Sequence, residues 1–155
     1  MSDVHLQYFP RDWQLKCHKG RKRFTVLALH RRAGKTELAI MELLDRAMKF
    51  KGDLGLFFYV APFLKQARAI AWARIKQKVE PLRVMNAVEV NESEAKITFK
   101  HNGAIVRVFG ADNPHAMRGV RLDGAVIDEV AQIKPEVWYD VIQPALSDRK
   151  GWALF

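Results

Sequence analysis

Apolar and polar positions along this chain switch between the two-residue period of a strand and the 3.6-residue period of a helix, and the switches delimit its expected elements. Phe24 to His30 (F-T-V-L-A-L-H) is a β-rich apolar run of strand length. From Thr36 to Phe50 the spacing predicts a helix with Leu38, Met41, Leu44, Ala47 and Met48 on one face, and Gly52 falls just past its end. Leu54 to Ala61 reads as a second buried strand, closed by Pro62. Leu64 to Lys78 reads as a second long helix, ending before Pro81. A short helix over Arg11 to Lys19, stopped by Gly20, precedes the first strand.

Val88 to Asn91 is a short strand candidate. Lys96 to Lys100 and Ala104 to Phe109 are stronger ones, joined through His101-Asn102-Gly103. An Asn-Gly pair between alternating runs predicts a hairpin, because both residues tolerate positive φ. Gly124 to Asp128 is another apolar strand that ends in acid. Pro135 to Leu146 follows as a helix, and Trp152 to Phe155 begins one more strand. Strands alternating with helices, interrupted by one hairpin, predict an α/β fold with a mainly parallel sheet flanked by helices. With no internal repeat, low-complexity tract or long linker, residues 1–155 read as one domain. The chain stops inside its last expected strand, so we expect a domain cut short at its carboxyl end.

Composition narrows the class. The chain is 49% apolar and 28% charged, the balance of a soluble globular protein rather than a disordered one. No apolar run approaches the ~20 residues needed to span a bilayer. Met1 to Pro10 lacks the apolar core of a secretory signal. Cys17 is the only cysteine, which excludes an internal disulfide and a cysteine-rich metal site and fits a reducing cytosol. The 26 Lys and Arg against 17 Asp and Glu leave a net charge of +9, which favours a polyanionic partner, nucleic acid first among them. The plain alternative is a basic solvated surface, since only Lys16 to Arg23 forms a dense run.

The chemistry centres on His30-Arg31-Arg32-Ala33-Gly34-Lys35-Thr36, which follows an expected strand and opens an expected helix, the setting a phosphate-binding loop requires. Gly34 lets backbone N–H groups approach phosphate oxygens. Lys35 reaches the β- and γ-phosphates, and the Thr36 hydroxyl is a Mg²⁺ ligand. Ala33 and the free N–H groups and positive dipole end of the helix complete the cradle. A Gly-Lys-Ser/Thr triplet arises by chance in about one chain in ten of this length, and Leu29 stands where the usual first glycine would be. The strand-loop-helix setting therefore carries more weight than the triplet.

A second constellation, Ala125-Val126-Ile127-Asp128-Glu129, is a continuous apolar strand with two carboxylates at its carboxyl end, where ligands of open α/β sheets bind. Asp128 is placed to hold Mg²⁺ through its water shell, and Glu129 to deprotonate the water that attacks the γ-phosphate. An acidic helix cap is the bland reading of that pair alone. Its occurrence 92 residues after Thr36 in the same kind of sheet favours an ATPase. Arg31, and less readily Arg32, could pair with the γ-phosphate and offset transition-state charge, against the alternative of two solvent-facing cations. Upstream, Phe9-Pro10-Arg11-Asp12-Trp13-Gln14 offers an amide for an adenine edge and an aromatic for stacking; the alternative makes Trp13 core and Gln14 surface. His5, His18, His30, His101 and His115 have no metal-ligand spacing.

On these residues the chain resembles the N-terminal ATPase domain of the large terminase subunit of tailed bacteriophages. The resemblance rests on R-R-A-G-K-T at Arg31 to Thr36, on Tyr59-Val60-Ala61-Pro62 followed by Gln66, Ala67 and Trp72, and on Arg118-Gly119 ahead of Asp123. It continues through Val126 to Glu129, Pro144 to Arg149 and Gly151 to Phe155. It implies a RecA-like P-loop NTPase core, Mg²⁺-dependent hydrolysis of ATP, and a motor that drives double-stranded DNA into a procapsid in the cytoplasm of the infected bacterium. It places Gln14 in the adenine-recognition motif and Arg31 at the catalytic arginine. The implied partners are double-stranded DNA, portal protein, the small terminase subunit and further copies in a ring, with the isolated chain free to be a monomer. The family's coupling motif and carboxylate-rich nuclease domain are not in this chain, so an ATPase module without a nuclease site is implied. Two alternatives stand beside it. One is a helicase-type translocase, although such proteins usually carry His, Asp or Gln where this chain has Ala131. The other is a nucleotide-binding fragment without significant turnover.

Overall fold

The computed structural model describes residues 6–155. Seven strands form one sheet in the order β1-β7-β6-β2-β5-β4-β3. They are β1 (Phe24–Thr25), β2 (Leu56–Ala61), β3 (Val88–Asn91), β4 (Lys96–Phe99), β5 (Ile105–Gly110), β6 (Gly124–Ile127) and β7 (Trp152–Leu154). β1, β7, β6, β2 and β5 are mutually parallel, whereas β4 runs antiparallel to both β5 and β3. The expected α/β fold with an inserted hairpin is the observed one.

The central strand β2 shows why the sheet is buried on both faces. Phe57, Tyr59 and Ala61 enter one core with Leu38, Leu44 and Ile75. The alternate residues Phe58 and Val60 enter another with Leu122, Ile127 and Leu146. Each large apolar side chain so enclosed contributes about 1.5–3 kcal/mol of transfer free energy, which favours this register over a one-residue slip.

Helix α1 (Asp12–Gly20) and helix α2 (Lys35–Met48) begin and end within two residues of their expected bounds. Helix α3, residues 64–84, is not a plain α-helix: Leu64–Ala67 and Ala73–Val84 flank a π-helical stretch, Arg68–Trp72. Both ends of that stretch engage one turn, Arg68 through the carbonyls of Glu92 and Ser93 and Trp72 through the Glu92 carboxylate. The helix also passes through Pro81 instead of ending before it. Burial of Val79 and Leu82 holds the chain in helical register despite the lost N–H. Helix α4, residues 135–147, contains a second π stretch, Trp138–Ile142. Pro144 lies two residues past its end and has no N–H to offer the preceding turn.

The first strand is shorter than its apolar run. Among the described residues its ladder is with β7 alone, and beyond it the Leu27 N–H meets the carbonyl of Phe155 at 2.8 Å. The hairpin is where it was expected, but of its Asn-Gly pair only Gly103 has positive φ, at +68°. Asn102 instead turns its amide to the carbonyls of Ala47, Met48 and Phe50, pinning the hairpin to the end of α2. Among the described residues, no helix is long and apolar enough to cross a membrane.

One buried charge ties α1 to α2. Glu42 is 3% exposed and accepts from His18 Nδ1 at 2.5 Å, Arg46 Nε at 2.5 Å and Arg21 Nη1 at 3.2 Å. Burial alone would raise its pKa, but the His18 hydrogen bond and the Arg46 and Arg21 charges outweigh that and hold the carboxyl below its ordinary value. A folded-state pKa below the unfolded one stabilises the protein above the ordinary range, about pH 4.3, and that contribution fades as pH falls through the folded value. We expect Glu42→Gln to lower stability at neutral pH by about 1–3 kcal/mol and to flatten the dependence of melting temperature on pH below about 4. Melting curves of variant and parent that stay parallel on acidification would show that Glu42 does not supply this term.

Candidate active site

The loop between β1 and α2 is shaped by two left-handed residues, Arg32 at φ +62° and Gly34 at φ +93°. Gly34 is the N-cap of α2, and the first helical bond is from Leu38 N–H to its carbonyl. The N–H groups of Lys35, Thr36 and Glu37 thus have no helical partner and converge with the positive end of the helix dipole. A side chain at Gly34 would have to adopt the left-handed conformation and would bring its Cβ to 3.2 Å from Gln14 Nε2. Only glycine meets both demands without strain.

Gln14 itself is buried. Its Oε1 accepts from the Arg11 N–H at 2.9 Å, and its Nε2 donates to the Gly34 carbonyl at 3.2 Å. Its amide joins the start of α1 to the loop, a positioning contact that the sequence reading, with an adenine edge in mind, did not anticipate. Trp13 is half-buried against the core, which leaves Phe9, 91% exposed, as the free aromatic of that segment. Arg31 and Arg32 are exposed and make no ion pair among the described residues. Within the loop, the His30 ring donates to the Arg31 carbonyl at 2.7 Å.

Across from the loop, β6 delivers its two carboxylates. The Asp128 N–H bonds the Val60 carbonyl at 2.9 Å, which fixes it at the carboxyl end of the sheet. Glu129 leaves the strand at φ +52°, a left-handed conformation that non-glycine residues seldom adopt and that functional sites often retain. Its Oε1 lies 3.6 Å from Lys35 Nζ, and its Oε2 accepts from Gln132 Nε2 at 2.5 Å. A cavity of about 200 Å³ lies beside these groups, bounded by Lys35, Asp128 and Glu129 and by apolar Leu27, Ala39 and Phe155.

Tyr59 was missed as a site residue. It is 1% exposed on β2, its hydroxyl donates to Asp128 Oδ2 at 2.7 Å, and Thr36 lines the same small cavity as Tyr59 and Asp128. Burial first, then the Asp128 carboxylate, push the phenol well above its ordinary pKa, so it stays a donor. The signal lay in Phe57-Phe58-Tyr59: one hydroxyl in a fully apolar strand needs a partner, and in the register Tyr59 pairs with Val126, two residues before Asp128. Gln132 was legible too, one turn after Glu129. Thr36 and Asp128 line one small cavity with this phenol and Glu129, and no cluster of three or more His, Cys, Asp or Glu suited to a metal exists among the described residues. That sparse set suits Mg²⁺, which usually takes one or two protein ligands and completes its shell with water and phosphate.

Sheet order and loop together define a RecA-like P-loop NTPase domain. No protein-family model matches the chain. A curated relative, the terminase large subunit of Thermus phage G20c, is 32% identical across 96% of this chain. The chain spans about a third of that relative's length, 33%. The large terminase ATPase domain of Thermus phage P74-26 superposes with a TM-score of 0.83 at 30% identity, covering 96% of this chain and 64% of that one. The large terminase of bacteriophage HK97 shares the fold, with a TM-score of 0.79 at 18% identity over 99% of this chain and 34% of its own. Over 96% of its length the chain is thus similar to phage large terminases and to the ATPase domain of one of them.

Proposed function

We propose that this domain binds and hydrolyses ATP to drive translocation of double-stranded DNA in phage packaging. The observation that supports it best is the facing of Lys35 and Glu129 across the loop, 3.6 Å apart, with Asp128 bonded beside them to Tyr59 and Thr36 lining the same small cavity. A γ-phosphate bound by Lys35 and the free N–H groups of α2 would lie next to the Glu129 carboxylate. Glu129, oriented by Gln132, then takes the proton of the attacking water. Mg²⁺, held by Thr36 and Asp128, would supply charge neutralisation on the phosphate oxygens when bound. Arg31, exposed and without an ion pair among the described residues, offsets charge on the transferring group, with Arg32, Ala33 and Gly34 forming the phosphate cradle. Gln14 sets the loop's position and keeps one amide hydrogen for a base.

A second cation from a neighbouring copy completes the site in this reading. Arg118 is exposed without an ion pair among the described residues, whereas Arg121 Nε lies 3.4 Å from Asp148. Arg118 is therefore the better donor in trans, and the active form is a ring of copies that meets portal protein and the small terminase subunit in the host cytoplasm. No nuclease chemistry is assigned to this chain. The test is phosphate release measured against protein concentration, with and without duplex DNA. Turnover should rise steeply as copies associate, since an arginine supplied in trans is worth about 10³–10⁵ in rate. A rate independent of concentration would leave Arg118 outside the site. Absence of Mg·ATP binding at every concentration would reject the ATPase reading.

Tyr59→Phe isolates the hydrogen bond from the phenol to Asp128. Phenylalanine fits a strand that already buries Phe57 and Phe58, so folding should persist. The lost hydrogen bond to a charged group is worth about 1.5–3 kcal/mol, and the Mg²⁺ concentration that half-saturates nucleotide binding should rise about tenfold or more. An unchanged Mg²⁺ requirement in the variant would make Tyr59 a packing residue only.

A further inference from the structure

The dense basic run at Lys16 to Arg23 plays no part in the nucleotide site. Its end, Arg21 to Arg23, meets the end of α2 and the turn before β7 around an open cleft of about 680 Å³. The cleft lies at the amino ends of β2, β6 and β7, where Phe57, Asp123 and Trp152 line it, so it is on the opposite edge of the sheet from the phosphate loop. Eight of its lining residues are Lys or Arg and two are Asp, a net charge of +6 against +9 for the whole chain. Two-thirds of the net charge is therefore gathered at one cleft. An evenly basic, merely solvated surface would not concentrate it so.

Part of that charge is already committed. Arg21 and Arg46 pair with buried Glu42, Lys49 with Asp45 at 2.6 Å, and Arg149 with Asp123 at 2.8 Å. Lys22, Lys51 and Lys150 are exposed and make no ion pair among the described residues. Lys150 is held at φ +51°, and Gly151 after it is packed so closely that a Cβ would lie 2.5 Å from the Leu122 carbonyl. A lysine in a backbone conformation that favours glycine is retained here at a local cost.

We infer that this cleft binds the phosphodiester backbone of double-stranded DNA, with Lys22, Lys51 and Lys150 as its phosphate contacts. The choice of DNA among polyanions rests on the motor reading above. Three further features favour a duplex backbone read without sequence. The cations without an ion pair are three lysines, compact point charges suited to phosphate, and Arg23, whose Nε donates to the Gly151 carbonyl at 3.1 Å, while the other guanidiniums that could read a base edge in bidentate fashion are paired with carboxylates. Trp152, the one large aromatic that is half-exposed here apart from Phe50, has the Arg46 guanidinium 4.1 Å above its ring. Phe57 is fully buried. The cleft thus lacks the open stacking platform that single strands use.

Three phosphate contacts make log K fall with log salt at a slope of about −0.9 per contact. The experiment is fluorescence anisotropy of a short labelled duplex titrated with the chain at several salt concentrations, beside the Lys22→Ala/Lys51→Ala/Lys150→Ala variant. The expected result is a slope shallower by about 2–3 in the variant, with Mg·ATP affinity and melting temperature unchanged. An unchanged slope overturns the proposal. So does a variant that loses binding to a polyglutamate competitor while keeping duplex binding, because the cleft would then be a protein-docking site. Failure of Mg·ATP binding in the parent chain would reject the ATPase reading and leave this result to be judged on its own.

Discussion

Lys35→Ala is expected to abolish tight ATP binding. Lys35 is the one flexible cation that α2 places at the phosphate loop, and its Nζ already faces a carboxylate at 3.6 Å. Half-exposed, it can swing to the β- and γ-phosphates at little conformational cost. A charge-assisted contact of that kind is worth about 1.5–3 kcal/mol, which is about 10- to 150-fold in affinity. The backbone N–H groups of the loop remain in the variant, so weak binding should persist. Alanine also releases Glu129 from its cationic neighbour, and stability should change by less than about 1 kcal/mol because the pair is partly solvated. Isothermal titration with Mg·ATP checks this, and equal affinity in parent and variant would remove Lys35 from the site.

What could be read from residue order was whatever depends on local pattern. β3 has its expected bounds, and α2 begins one residue from its own, because apolar period, a glycine N-cap and a following turn act within a few residues. The phosphate loop and the acidic pair were legible for the same reason, each being a short run tied to a strand end. Contacts made through space were harder to read. Gln14 reaches a carbonyl twenty positions away, and the Tyr59 hydroxyl bonds Asp128 69 positions away, pairings that exist only once β2 lies between β5 and β6. The π stretches in α3 and α4 depend on distant partners and on proline placement. They leave no change in the helical period to notice. Charge was the plainest case. The sequence displays +9 spread along the chain, and only the fold gathers residues 21–23, 45–51 and 149–152 round one cleft.

The second large effect is expected from Glu129→Gln, which should leave Mg·ATP binding nearly intact while slowing hydrolysis by about 10²-fold or more. Glutamine keeps the size of the side chain and one carbonyl oxygen for a hydrogen bond, but it cannot accept the proton of the attacking water. The structure gives the carboxylate two neighbours of different consequence. Lys35 Nζ lies 3.6 Å from Oε1, and the Gln132 amide, 2.5 Å from Oε2, fixes how the carboxylate is turned. In the variant that amide must turn or lose its bond, so the Glu129→Gln side chain is also less well oriented. Left-handed backbone at position 129 is unchanged by the substitution and penalises both residues alike. The measurement is single-turnover hydrolysis under conditions where copies associate, with binding followed separately so that a kcat effect is not mistaken for lost affinity. If the Gln132→Ala variant shows a smaller loss than Glu129→Gln, with unchanged binding, orientation and proton transfer are separable contributions of the two side chains. Normal turnover in Glu129→Gln would place the general base elsewhere, with Asp128, already bonded to the Tyr59 hydroxyl, as the only other carboxylate at the end of that strand.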